Sequence, residues 1–275
     1  MGSDLTRIGA NIEALQSLGS LSSINRKIGM HQLRLATGKK INSTEEDPAG
    51  YQIARGLESR RRGLEVALAN VGTAKNVLNI AEGGYQTIMD LLQTMKEKAT
   101  QAADVSLSST QRSAINDQVG ALISEIDAIV TETSFNGVAL IDGSYSAKKF
   151  HTGEGASNEL SVTLNGADSA DLTISTVSLS TAASASAAIG TLGTAIDTLA
   201  SRLQDVGEFK SRLTAKEQTL AVAITNTEEA RSLVEDADFA KEQMEVMKLQ
   251  ILQQTAVASL AQANASPQVV LSLFG

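Results

Sequence analysis

The sequence predicts a mainly α fold: an elongated antiparallel bundle of long helices built by both chain halves, with a small central β-hairpin region. Three observations carry that reading. A heptad runs without a break through Leu57, Leu64, Val71, Leu78, Tyr85, Leu92 and Ala99. Its companion positions are Arg60, Ala67, Ala74, Ala81, Ile88, Met95 and Ala102, of which only Arg60 is wrong for a seam. Large residues facing small ones suit close helix packing. A second stripe runs through Ile189, Leu192, Ile196, Leu199, Leu203, Val206, Leu213, Leu220 and Ile224, interrupted by Lys210, Glu217 and Arg231 before Val234 restores it. Finally, the chain holds only two prolines, Pro48 and Pro267, so no proline interrupts a helix anywhere between them.

The elements follow in order. Residues 5–35 are helical in pattern, with Leu5, Ile8, Ile12 and Leu15 at three- and four-residue spacing. Gly19 and Gly29 weaken that segment, each by about 1 kcal/mol relative to alanine. TGKKINSTEED reads as a connector. Asp47 then caps a helix whose first turn begins at Pro48, where the missing N–H costs nothing. Run from 48 to 104, that helix is about 85 Å long. Ser108 and Gln111 have capping-box spacing for a third helix, striped by Ile115, Val119, Leu122, Ile126 and Ile129 and ending near the Asn136-Gly137 turn. In 138–180, VALIDG, NELSVTLNG and ADLTISTV alternate in polarity between turn residues and read as hairpins. STAASASAA is a linker or a helix lead-in.

The last helix, about 236–264, carries Phe239, Met244, Met247, Ile251, Ala258 and Ala261 on one face. Leu249, Leu252, Ala256 and Leu260 lie on neighbouring ones. Pro267 is expected to end it, before the apolar run that includes Leu271. A helix apolar over that much of its circumference requires burial on several sides. The two outermost helices are marginal alone and carry more apolar area than two helices hide from each other. A self-assembling subunit accounts for this better than a monomer.

Composition excludes several functions. With no cysteine there is neither a disulfide framework nor thiol catalysis, and two histidines, His31 and His151, do not make a His-rich metal site. A carboxylate site for a hard cation stays open. The net charge of −8 opposes nucleic acid as the main partner, and 3% aromatics disfavour a stacking platform. No run approaches 18 apolar residues, so membrane insertion is not expected, and MGSDLTR lacks the apolar stretch of a secretory signal. The arginine run ESRRRG at 58–63 reads as a solvated or salt-bridging face, and His31 as a surface residue. Glu45, Glu46 and Asp47 read as carboxylates favouring a helix N-terminus. No nucleophile–base arrangement, HExxH motif or cofactor signature is present, so no enzyme, cofactor or metal is expected.

At both ends the residues resemble the bacterial flagellin family. IGANIEAL resembles the family's opening helix, and RLATGKKINSTEEDPAGYQIA its stretch where "RLSSG" leads into "RINSAKDDAAG". FNG at 135–137 resembles the turn after the second core helix. ARSLVEDADFAKE, LQILQQTAVASLAQAN and PQVVLSLFG resemble the closing signature. The likeness covers about 5–137 and 186–275, so the insertion between the halves is short and outer domains are nearly or wholly absent.

The resemblance implies a structural subunit that polymerises into the extracellular flagellar filament and leaves the cell unfolded through the flagellar type III apparatus. It implies an inner domain from 1–40 and 236–275, a long-helix domain from 41–137 and 181–235, and a small β segment over 138–180. Self-assembly then falls to Ile8, Ile12, Leu15, Met247, Ile251, Leu252, Leu260 and Leu271. Implied partners are further copies of the chain, a cytosolic export chaperone at the C-terminal helix, and the flagellar cap and junction proteins. A stretch patterned "LQRVRELAVQ" in many members contacts the animal innate immune receptor for flagellin. Its counterpart here is Leu92, Gln93, Thr94, Met95, Lys96, Glu97, Lys98, Ala99, Thr100 and Gln101. Thr94 replaces the first arginine and Lys98 a leucine, which removes a planar multi-donor contact. Leu92 and Met95 fall on the heptad seam, leaving Gln93, Lys96 and Glu97 beside it. Two alternatives remain open at this point: a hook–filament junction adaptor of the same architecture, and an amphipathic membrane-active protein, which the acidic composition opposes.

Overall fold

The computed structural model describes the backbone of residues 11–272 and the side chains of residues 11–265. The elements are α1 (Ile12–Thr37), α2 (Pro48–Ala102), α3 (Ser109–Glu132), β1 (Ser134–Phe135), β2 (Val138–Ala139), β3 (Lys148–His151), β4 (Glu159–Val162), α4 (Ala182–Glu235) and α5 (Phe239–Ser272). Five helices pack against one another, with two small antiparallel strand pairs. Two compact units result: residues up to Ser59 with those from Asn226 onward, and Arg60–Thr225. Each contains part of α2 and part of α4.

In the Arg60–Thr225 unit the heptad of α2 is the core. Leu64, Val71, Leu78, Tyr85, Leu92 and Ala99 are buried with all their companions from Ala67 to Ala102. Arg60, the one misfit, is exposed and pairs with Glu154 at 3.1 Å. The partner stripe on α4 buries Leu192, Leu199, Val206, Leu213 and Leu220. Two of its charged interruptions have a physical purpose. Lys210 donates to Glu82 at 2.5 Å and Lys75 donates to Glu217 at 2.7 Å, both between α2 and α4. A shift of either helix by one heptad position breaks both pairs, so the interruptions fix register at little energetic cost.

The ends of these helices are closed by side chains. Asp47 accepts from the Gly50 N–H at 2.9 Å in the first turn of α2. At the other end Arg112, nearly buried, donates to the carbonyl of Ala102, an oxygen that the helix leaves free, and to that of Asp104 just beyond it. Ser108 and Gln111 form the expected capping box of α3. Thr181 and Ser184 exchange bonds at the start of α4, so STAASASAA is a helix lead-in. β1 and β2 pair across Asn136 and Gly137, whose φ values of 51° and 77° suit the two central residues of a tight hairpin turn. Gly84 allows the end of α3 to approach α2: a Cβ there would lie 2.8 Å from Thr133 Oγ1 and 2.9 Å from Ile141 Cδ1.

Three expectations are corrected. ADLTISTV is not a strand. Ser169 donates its N–H and hydroxyl to the Asp127 carboxylate, and the Leu172 and Ile174 N–H groups bond back to the carbonyls of Asp168 and Ser169. Local bonds therefore replace a strand partner, while Leu172 and Ile174 still reach the core. The last helix does not stop at Pro267 but runs on to Ser272; a proline removes one backbone bond without obliging the chain to leave the helix. His31 is not a surface residue: its side chain is 14% exposed and contacts Glu242.

Candidate functional site

The unit built from the two chain ends holds the residues singled out for assembly. α1 starts where the Asn11 side chain accepts from the Ala14 N–H, and ends at Gly38 in the left-handed conformation, φ 71°. α5 lies antiparallel to α1. Asn11 Nδ2 donates to the Ala263 carbonyl at 2.7 Å, Gln253 Nε2 to Asn25 Oδ1 at 2.7 Å, and His31 Nδ1 meets the nearly buried Glu242 carboxylate. Arg34 approaches both Glu242, at 3.6 Å, and Glu46, at 3.5 Å. Toward α1, α5 turns Glu242, Val246, Leu249 and Ala263, all buried, with Leu260 half-buried.

Helical spacing places Met244, Met247, Ile251 and Ala258 on the opposite side of α5. Met244 is 60% exposed, Met247 49% and Ile251 64%, and Leu252 and Val257 extend the uncovered surface. On α1, Ile12, Leu15, Leu18 and Leu33 are also exposed. Thus α5 is apolar both toward α1 and away from it, and α1 covers only one of those faces. Among the expected assembly residues, Ile12, Leu15, Met247, Ile251 and Leu252 are exposed and Leu260 is half-buried. Ile8 lies outside the described residues, as does the side chain of Leu271.

A second feature escaped the sequence reading. The two connectors of this unit, after α1 and after α4, pair with each other. Lys40 N–H donates to the Glu235 carbonyl at 2.6 Å and Ala237 N–H to the Gly38 carbonyl at 2.9 Å. Between them the buried Glu235 carboxylate accepts from Lys39 at 2.5 Å and Arg231 at 2.6 Å, with Arg55 at 3.6 Å. Burial pushes the Glu235 carboxyl upward, but the bonds from Lys39 and Arg231 outweigh it and hold the group below the ordinary carboxylate value. Arg231 donates to the carboxylates of Glu228 and Glu235, and these bonds hold its guanidinium charged. The acidic run following Val234 was the only sequence signal for this latch.

The stretch matching the receptor pattern lies on α2 in the other unit. Leu92, at 0% exposure, is core and is removed from any contact surface, as is Met95. Gln93 and Glu97 are exposed, while Thr94, Lys96 and Lys98 are half-buried. Thr94 donates its hydroxyl to the Asp90 carbonyl at 3.0 Å, within its own helix. Among the described residues there is no cluster of three or more potential metal-ligating side chains, and no helix long and apolar enough to cross a membrane.

A helical scaffold with an uncovered apolar face on its terminal elements has the character of a structural, interacting subunit. The family model for the bacterial flagellin N-terminal helical region matches residues 8–146, and that for the C-terminal helical region matches 189–274. The chain is 30% identical to flagellin FlaB1 of Treponema pallidum, over 97% of this chain and 99% of that protein. It is 32% identical to the flagellin of Bacillus subtilis, over 98% and 99%. It is also 29% identical to the flagellar filament 33 kDa core protein of Treponema phagedenis, over 97% and 99%. The chain belongs to the bacterial flagellin family, in a compact form with little inserted between its halves. Its class is that of a non-enzymatic structural subunit of the extracellular flagellar filament.

Proposed function

We propose that this chain polymerises through its terminal helices. The face formed by Met244, Met247 and Ile251 is covered by neighbouring copies, with Ile12, Leu15, Leu252 and Leu260 beside it. On this reading 1–40 and 236–275 form the inner filament-core domain, 41–137 and 181–235 the long-helix core domain, and 138–180 a small β-hairpin segment. The observation that carries the reading is the exposure of these apolar side chains on the side of α5 away from α1. In a free subunit that face is in water, and in a polymer its burial drives association. The same face suits an export chaperone before assembly, and cap and junction proteins cover it at the filament ends.

The receptor contact is assigned to Gln93, Thr94, Lys96, Glu97 and Lys98 only. Because Thr94 bonds within its helix and lacks a guanidinium, this contact is weaker than in family members carrying arginine there. The test of the main reading is negative-stain microscopy of purified protein with and without filament seeds. Long filaments are expected. Short rings point to a junction adaptor, and persistent monomers under seeding refute assembly through these helices.

A further inference from the structure

The chain has six methionines and no cysteine, so every sulfur available to an oxidant is a thioether. Met1 lies outside the described residues, and the fold distributes the other five unequally. Met95 is completely buried in the α2 seam, and Met89 and Met30 are half-buried. Met244 and Met247 are 60% and 49% exposed, side by side at i and i+3 on the face of α5 turned away from α1. Oxidation follows access. We infer that Met244 and Met247 form a modification site, at which a peroxide converts their thioethers to sulfoxides in the free subunit and thereby blocks assembly.

The chemistry balances without a metal or thiol. A sulfur lone pair attacks one peroxide oxygen, the S–O bond forms and the O–O bond breaks. The other oxygen leaves with both protons as water. Sulfur loses two electrons and the peroxide gains them. The product replaces a flexible apolar side chain with a polar one. In the free subunit that change leaves the fold intact, because both residues are exposed on the side of α5 away from α1. In an assembled interface the sulfoxide oxygen must be desolvated without a partner, which opposes burial. The inference rests on the assembly role of this face. It adds that assembled and free subunits differ in sensitivity: the polymer shields the sulfurs that the free chain exposes.

The experiment treats free subunits with hydrogen peroxide, maps the oxidised methionines by peptide mass spectrometry, and measures the critical concentration for seeded assembly. Met244 and Met247 are expected to oxidise before Met95, and the critical concentration to rise by about tenfold or more. Filaments given the same treatment keep both thioethers, and a methionine sulfoxide reductase restores assembly. The double variant Met244→Leu with Met247→Leu assembles and is insensitive to peroxide. Where that variant assembles poorly, the two single variants carry the same comparison, each losing part of the sensitivity. Equal oxidation of Met95 and the α5 methionines overturns the inference. So does unchanged assembly of subunits with both sulfoxides confirmed, or undiminished peroxide sensitivity in the leucine variants. Failure of the untreated protein to assemble instead removes the underlying assembly reading.

Discussion

Replacing Ile251 with glutamate separates assembly from folding. The side chain is 64% exposed and points away from α1, so the substitution empties no cavity in the subunit, and glutamate is a good helix former. Complete burial of an isoleucine is worth about 1.5–3 kcal/mol, of which about 1–2 kcal/mol is still to be gained on assembly, given the exposed fraction. A carboxylate at the same place must also be desolvated, at several kcal/mol. Together these exceed about 4 kcal/mol, or roughly a thousandfold in critical concentration at 1.4 kcal/mol per factor of ten. Ile251→Ala forfeits only the apolar part, and about a tenfold rise is expected. Seeded assembly followed by sedimentation across a concentration series reads both values, with thermal unfolding of the free subunit as the control. Were Ile251→Glu to assemble within about threefold of the parent concentration, this face of α5 would not be an interface.

Other perturbations test the scaffold. Leu92→Ala is expected to lower stability by about 2–5 kcal/mol through the cavity it leaves, whereas Gln93→Ala and Glu97→Ala stay within about 0.5 kcal/mol. Denaturant melts of the three variants check this, and a neutral Leu92→Ala would place that side chain outside the core. Reversing one pair by Glu82→Lys or Lys210→Glu alone destabilises modestly, and combining the two restores stability if the pair sets the α2–α4 register. Each arm is worth about 1 kcal/mol or less, because both groups are partly solvated, and a double-mutant cycle without coupling removes that role. Glu235 supplies a pH signature. Its folded carboxyl lies below its ordinary value of 4.5, so its stabilisation is present above that value and lost as pH falls through the folded one. Glu235→Gln therefore melts earlier than the parent at neutral pH, and the gap narrows as the pH falls below 4.5. A gap independent of pH contradicts the latch.

The long helices were legible because a seam repeated every seven residues has one physical solution, and the buried run from Leu64 to Ala102 follows it position by position. Caps were legible for a related reason: Asp47 and Ser108 act on N–H groups only a few residues away. Legibility fails where the deciding partner is distant. The alternation in ADLTISTV is real, since Leu172 and Ile174 are both buried, but alternation states which side chains go inward and not which backbone will pair with them. Asp127, more than forty residues earlier, supplies the bonds that turn the segment into a loop. On its own helix pattern His31 reads as a surface residue, and only the return of α5 brings Glu242 beside it. Glu235 is one acid in an acidic run, and only Lys39, from the other chain half, singles it out. The assembly face lies between these cases. Its apolar surplus is written in the sequence of α5, but which residues form that surplus is decided by which side α1 covers. Val246 and Leu249 satisfy the same periodicity as Met247 and Ile251. The turn of α5 against α1 buries the first pair and leaves the second for another copy to cover.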